Sequence, residues 1–551
     1  MLLYISNANF NFLVFSPLLF STGLFLTLFM KFLLSLCFVL CLFGTPIWAQ
    51  NAIPVGFSDI DEQVHNLQLL GKIDANQSML ARPFYSTGKQ SYQDLYRLID
   101  PSAQDSIKSY KKGLFQAILL PASLSQKLNT SRPYGWNDQA MSISNGYQMQ
   151  ASAGFYARFS ILHVQFKPEF VHTGSADYET SDAWGQVNPS LDRVSLGQSS
   201  VRLEAGGISL GVSNQNLWWG PGHYSSLLMT NNAAGFQHYS LNTTRPLKTP
   251  IGSFEFQLIL GRMTRDSLQG FENNALKKRD LSSNPKNRQY NGIILTYQPR
   301  FMKNVFFSVS RSFQNYEVDR PGARFMNTYL PVLNNLFKSD YNDDTLSKDQ
   351  ILSISTRWLM PKNHAEVYAE FGYNDAKQNL RDLMLDMSHS AAWVVGFKKL
   401  HPLNARTFIS LQAEATKMSE TPSYLMRGAG NWYEHGQVYE GFTNNNQIIA
   451  NGVGHGNDAQ SIAVSWNQGW TKLGLTFQHV ANRPTTTAGG TAVYTRSVKW
   501  DDYAYGLQGG YRYKKLLFTA DVKWVNSSNY LWEKDHSKSN VYAFINTIFL
   551  W

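Results

Sequence analysis

Tyr503-Ala504-Tyr505-Gly506-Leu507-Gln508-Gly509-Gly510-Tyr511-Arg512-Tyr513 is the stretch that decides the fold. Read with a period of two, Tyr503, Tyr505, Leu507, Gly509, Tyr511 and Tyr513 share one face, and Ala504, Gly506, Gln508, Gly510 and Arg512 share the other. After a tight turn at Lys514 the pattern repeats, with Leu516, Phe518, Ala520, Val522 and Trp524 set against Thr519, Asp521, Lys523 and Val525. One face would meet lipid and the other a lumen, as in a membrane barrel.

The same alternation runs back to Leu114 and yields roughly eighteen strands, an even number as bacterial barrels require. They begin near Leu114, Asn145, Ser160, Gln198, Ile208, Gly235, Gly252, Gln289, Asn304, Asp349, Ala365, Ala391, Ala405, Ala459, Thr471, Asp502, Lys515 and Asn540. Connections after even strands are short: Ala157 to Phe159, Gly206-Gly207, Thr244 to Ile251, Arg300 to Lys303, Met360 to His364, Leu400 to Asn404, Gly469-Trp470 and Lys514. Those after odd strands are long and polar, among them His172 to Gly197, Thr264 to Arg288, Asn315 to Lys348 and Lys417 to Asp458. Short periplasmic turns alternating with long outer loops fix the topology, and misread strands would have no reason to alternate in this way. Loops of such length favour binding or gating roles.

Composition agrees. Tyr, Phe and Trp are abundant while mean hydropathy is slightly negative, as expected from aromatic girdles around a polar lumen. Met30-Lys31, the apolar run Phe32 to Phe43 and the ending at Ala49 describe a secretory signal peptide within residues 1–50, with Met30 as its natural start. The competing reading is a membrane anchor formed by Phe10 to Phe29. Both cysteines, Cys37 and Cys41, fall inside the leader, so the mature chain has no disulfide or thiolate chemistry. Leu36 and Leu40 stand where lipidation would want a small residue. Beyond the leader no apolar run is long enough for a spanning helix. Removing Lys31 leaves 48 basic residues against 39 acidic, a net of +9. That excess favours acidic polysaccharide or lipopolysaccharide phosphate, and export argues against nucleic acid.

Residues 51–112 change character. Ser58 can cap a helix carrying Ile60, Val64, Leu67 and Leu70, with Gly71 as its stop. Tyr92, Leu95, Leu98 and Ile99 make a second apolar stripe, and Ser102 with Asp105 begins a third segment after Pro101. Short helices are marginal alone, so they are expected to pack together against the periplasmic end of the barrel, residues 113–551.

Trp218-Trp219-Gly220-Pro221-Gly222, preceded by Asn214-Gln215-Asn216 and followed by Ser225 to Asn232, resembles the central signature of the Wzi family of outer-membrane capsule assembly proteins. Pro133 to Asp138, Pro168-Glu169-Phe170 (placed at the end of the third strand), Glu366 to Asp375 and Asn451 to Gly456 support the resemblance. It implies a periplasmic helical bundle and a non-enzymatic role in attaching capsular or exopolysaccharide at the cell surface. A solute porin is the alternative. The final apolar face, Val541 to Trp551, is similar to the insertion signal read by the barrel-insertion machinery.

Glycan recognition needs flat aromatic faces flanked by amides and charges. Trp218, Trp219, His223, Tyr224, Asn231 and Asn232 offer that mixture, as do Trp432, Tyr433, His435 and Tyr439 with Asn431, Phe442 and Asn444 to Asn446. The competing role for Trp218 and Trp219 is to wedge an inward-folded loop against the wall, with Gly-Pro-Gly as its turn. Lys167, Glu169, Arg202, Glu204, Glu366, Glu370, Arg406, Glu414, Arg512, Asp521 and Lys523 are read as a lumen network, since buried charges must be paired. No hydrolase, phosphate-loop, metal or cofactor motif is found, and none of these groups is expected. Glu366 and Glu370 lie about 13 Å apart along one strand, too far for a glycosidase pair. A serine hydrolase assembled from separate strands is the remaining enzymatic possibility.

Overall fold

The computed structural model describes residues 52–53, 58–85, 92–101, 108–174, 191–264, 287–317, 332, 349–374, 387–388, 390–419, 432–435, 438, 440–445, 447–482 and 498–551. The expected leader and the segment beginning at Ser102 lie outside them.

Among the described residues eighteen antiparallel strands form one closed wall. They are β1 (Phe115–Asn129), β2 (Gly146–Phe159), β3 (Leu162–Phe166 and Glu169–Thr173), β4 (Leu191–Ser195 and Ser200–Ala205), β5 (Ile208–Ser213) and β6 (His238–Thr243). Next come β7 (Gly252–Thr264), β8 (Asn287–Pro299), β9 (Val305–Tyr316), β10 (Asp349–Met360), β11 (Ala365–Asn374) and β12 (Ala391–Pro402). The last are β13 (Thr407–Lys417), β14 (Asp458–Gln468), β15 (Thr471–Asn482), β16 (Trp500–Tyr513), β17 (Leu516–Ser528) and β18 (Lys538–Phe549). Each pairs with its neighbour, and β18 closes on β1 from Tyr542↔Asn129 to Phe549↔Ala122. Beyond that seam the Trp551 indole donates to the Leu120 carbonyl at 2.6 Å. Closure satisfies every strand edge, which hydrocarbon demands.

Side-chain direction follows the period of two. Tyr503, Tyr505, Leu507, Tyr511 and Tyr513 are exposed outward, as are Phe518, Val522 and Trp524. The third and fourth strands differ from the sequence reading. β4 starts at Leu191 rather than near Gln198, and Pro168-Glu169-Phe170 lies inside β3 rather than at its end. Both strands break at the same level, where the Lys167 N–H turns to the Ser199 hydroxyl and Gln198 N–H meets the Lys167 carbonyl. A Cβ at Gly197 (φ 51°) would touch the Glu169 side chain, so only glycine suits that close approach.

Helices α1 (Ser58–Leu69) and α2 (Tyr92–Ile99) form where the two stripes placed them. Their apolar faces share one cluster with Ile118, Tyr156, Trp470, Leu517 and Ile548 from the short-turn end of the wall. Trp470, in the turn between β14 and β15, packs on Tyr96 with ring centroids 5.3 Å apart. Between the helices, Leu80 to Tyr85 is extended rather than helical.

That extended segment meets the loop after β5, which folds into the barrel. Trp218↔Arg82 and Trp219↔Ala81 form a two-residue antiparallel ladder, and the Gly220 N–H donates to the Leu80 carbonyl at 2.8 Å. Trp218 and Trp219 are 3% and 0% exposed. Around Trp219 lies an apolar core of Leu80, Leu227, Leu228, Met229, Phe236, Ile259, Met263, Tyr290, Ile294, Phe306 and Ile351. The expected polar lumen therefore also carries, from β7 to β12, inward apolar side chains such as Ile259, Ile294, Phe306, Ile351 and Val394, which loops cover.

Two outcomes test this arrangement. Leu507→Arg, on the lipid face, should lower stability by about 2–4 kcal/mol in denaturant titrations of the refolded barrel. Gln508→Asn, facing inward, should cost clearly less. Trp219→Ala removes a fully buried indole and should cost about 3–5 kcal/mol. Protease should then cut between Asn214 and Gln237, while the wall keeps its heat-modifiable migration on gels.

Candidate functional site

Three groups of residues hold the inward loop at its depth. Arg82 stacks its guanidinium 4.4 Å from the Trp218 ring, donates to Asp61 of α1 at 2.7 Å and to the Gly222 carbonyl at 3.1 Å. The Trp219 indole N–H donates to Gln257 of β7 at 2.7 Å, and its ring lies over Gly292, where a Cβ would approach within 2.7 Å. At the tip, the His223 and Tyr224 amides both donate to the Glu414 carboxylate, which also accepts from the Tyr368 hydroxyl. The loop thus descends until His223 Nε2 meets Glu366 Oε1 at 2.7 Å, one residue above the start of β11.

Most of the charges assigned to the lumen occur there, but as separate knots rather than one network. Arg357 of β10 grips Glu366 and reaches Gln68 of α1 and the Ser78 carbonyl. Glu370 accepts from Ser353, Ser226 and the Leu227 amide. Glu169 accepts from Gln198, Lys167 donates to the Pro121 carbonyl, and Arg202 lies 3.8 Å from Glu204 and over the Tyr85 ring. Lys523 pairs with Asp521 at 3.0 Å, and Arg512 reaches down to Asp100 beside α2. Arg406 is a correction: it is exposed in the turn before β13, its amide held by Asn404, so it does not face the lumen.

Plug and wall are charge-matched. Glu62 of α1 lies 2.8 Å from Lys472 and 3.6 Å from Lys398. Burial alone would raise its carboxyl, but these two ammonium groups outweigh it and hold the pKa at about 2. Burial pushes His223 below the usual imidazole range, against the opposing pull of Glu366.

At the outer mouth three loops interlock. The Asn137 amide and side chain bond to Asn232 and the Tyr224 carbonyl, and Asn231 returns a bond to the Asn137 carbonyl. Asn232 donates to Ile448, and the Tyr433 hydroxyl donates to the Leu227 carbonyl at 3.0 Å. The two aromatic groups read from sequence therefore touch. Trp218 and Trp219 are buried in the wedge role, and Asn231, Asn232, Trp432 and Tyr433 are buried too, so these faces are not offered to a ligand outside. His435 keeps part of its surface open, whereas the partly covered His223 and Tyr224 sit at the deep tip of the inward loop beside Glu366 and Glu414. Tyr439 lies outside the described residues. Half-buried Trp136, edge-on to Tyr134 at 5.8 Å and packed near Gly452, joins the open set. Its position in the loop between β1 and β2 was visible in sequence, but its neighbours across the mouth were not.

Similarity to known proteins agrees with this geometry. The Escherichia coli outer-membrane protein Wzi, characterised as involved in group 1 capsule assembly and as a carbohydrate-binding β-barrel, superposes with a TM-score of 0.61. The match covers 91% of this chain and 100% of that one at 13% identity, which speaks for the fold. OprD of Pseudomonas aeruginosa and OccAB1 of Acinetobacter baumannii are more remote, with TM-scores of 0.37 and 0.39 and 8% identity. They cover 78% and 79% of this chain, and 92% and 96% of their own. No curated protein sequence matches. The family model for capsule assembly protein Wzi matches residues 125–540, well over half of the chain, and this outer-membrane barrel belongs to that family.

Proposed function

We propose that this protein binds capsular or exopolysaccharide at the outer mouth of a filled barrel and helps hold or assemble it at the cell surface, without chemical conversion. The observation that carries the reading is the inward loop: a segment between β5 and β6 occupies the lumen and is bonded to Arg82 of the N-terminal segment and to β7, β11 and β13. A lumen so filled suits a rigid platform better than a solute path. Family membership supports polysaccharide as the partner, as does the carbohydrate binding ascribed to the E. coli relative.

On this reading, sugar rings rest on the open face of Trp136, His435 on the outer loop after β13 adds a polar partner, and the buried tryptophans set the height of that platform. The net positive charge favours acidic glycans. Glu366 and Glu370 are committed to Arg357, His223 and serine hydroxyls, which supports the non-enzymatic reading. Outer-membrane lipid and lipopolysaccharide are proposed partners of the exposed aromatic wall. The insertion machinery is the proposed reader of the strand ending at Trp551.

Purified protein is expected to bind surface polysaccharide from its own source. Combining Trp136→Ala and His435→Ala should weaken binding by about tenfold or more, with the barrel still heat-modifiable. Unchanged affinity would exclude this mouth as the contact. A strain lacking the protein should shed capsule into the medium, and a fully cell-attached capsule would count against the anchoring role.

A further inference from the structure

His65 of α1 is 3% exposed, yet neither of its ring nitrogens has a hydrogen-bonding partner. A buried polar group in that state carries the full desolvation cost of an unmade bond. What it faces is informative: the His223 ring stands edge-on at 4.9 Å, and His223 in turn touches Glu366. One ligand-type atom from each of His65, His223 and Glu366 lies within 4.8 Å of the other two. The three belong to different parts of the molecule, namely the N-terminal helix, the inward loop and the barrel wall.

Two imidazole nitrogens and one carboxylate oxygen are a donor set suited to zinc, with a fourth position left for water. We propose that His65, His223 and Glu366 bind one Zn2+, which clamps helix, loop and wall together. Zinc–ligand bonds of about 2.0–2.1 Å place tetrahedral donors about 3.3 Å apart. The 2.7 Å His223–Glu366 contact must therefore open slightly while His65 closes in, movements within reach of side-chain rotation. Glu366 can present Oε1 to the ion while Arg357 Nε keeps Oε2 at 2.7 Å, the kind of outer partner that fixes a ligating carboxylate.

The surroundings permit the charge. Arg82 pairs with Asp61, Arg357 with Oε2 of Glu366, and Lys398 and Lys472 share Glu62, while Glu414 at the loop tip places a further carboxyl group nearby. Burial, together with the neighbouring His223, Arg82 and Arg357, keeps the His65 imidazole neutral, the form that coordinates metal. Positions 65, 223 and 366 are too far apart in sequence for any ligand-spacing motif to announce them.

The test uses the full protein from outer membranes, stripped with chelator and titrated with Zn2+ against a chromophoric competitor. One equivalent should bind with a Kd below about 1 μM, and bound Zn2+ should slow proteolysis of the inward loop. His65→Leu gives up no hydrogen bond, so the barrel should still fold while zinc affinity falls by about 100-fold or more, beyond the loss typical of an outer-shell change. Glu366→Gln should also weaken it. Substoichiometric binding by the wild type, or one equivalent bound undiminished by His65→Leu, overturns the proposal. Should His65→Leu fail to fold, Co2+ loaded into the wild type decides: visible absorption of a four-coordinate ion supports the site and its absence overturns it.

Discussion

The ladder between Trp218-Trp219 and Ala81-Arg82 is the contact on which the interior depends. A loop carried into a barrel brings backbone amides and carbonyls away from water, and each must find a partner. Here the partner is another irregular segment, Leu80 to Tyr85, entering from the opposite end. Arg82 makes the junction possible, since one guanidinium serves the Trp218 ring, Asp61 and the Gly222 carbonyl. Without the N-terminal segment the loop would have no ladder, and without the loop Arg82 would be a buried cation missing two of these three contacts.

Much else follows from that junction. Once the loop is down, its return limb from Leu227 to Asn232 passes under the loop that carries Trp432 and Tyr433, and the Tyr433 hydroxyl caps the Leu227 carbonyl. Asn231 and Asn232 then tie the limb to Asn137 and Ile448. The outer mouth is thus a lattice of three loops resting on a filled lumen. Its shape is set from below, as the proposed role of a fixed binding surface would require.

The wall was legible in the sequence because its determinants are local: a period of two, turn residues and connection length. Leu507 and Gln508 reveal their faces from their neighbours alone. α1 and α2 were legible from their stripes for the same reason. The interior was not. Nothing near Trp218 says that it will lie against Arg82, and whether a Trp-Trp pair binds glycan or fills a core depends on partners more than a hundred residues away. The same ignorance put Arg406 in the lumen, because a strand start misjudged by two residues turns an exposed turn residue into an inward one. It also hid the meeting of His65, His223 and Glu366. Reading the lumen as simply polar missed Ile259, Ile294 and Ile351, whose inward apolar side chains make sense only once a loop covers them.

The proposed polysaccharide-binding role rests on a lumen that is filled rather than open, so the filling is the central claim. Single-channel recording of the intact protein in planar bilayers tests it most directly. The inward loop and the N-terminal segment predict no large, steady open state. A steady conductance of porin size from the unmodified protein would contradict it.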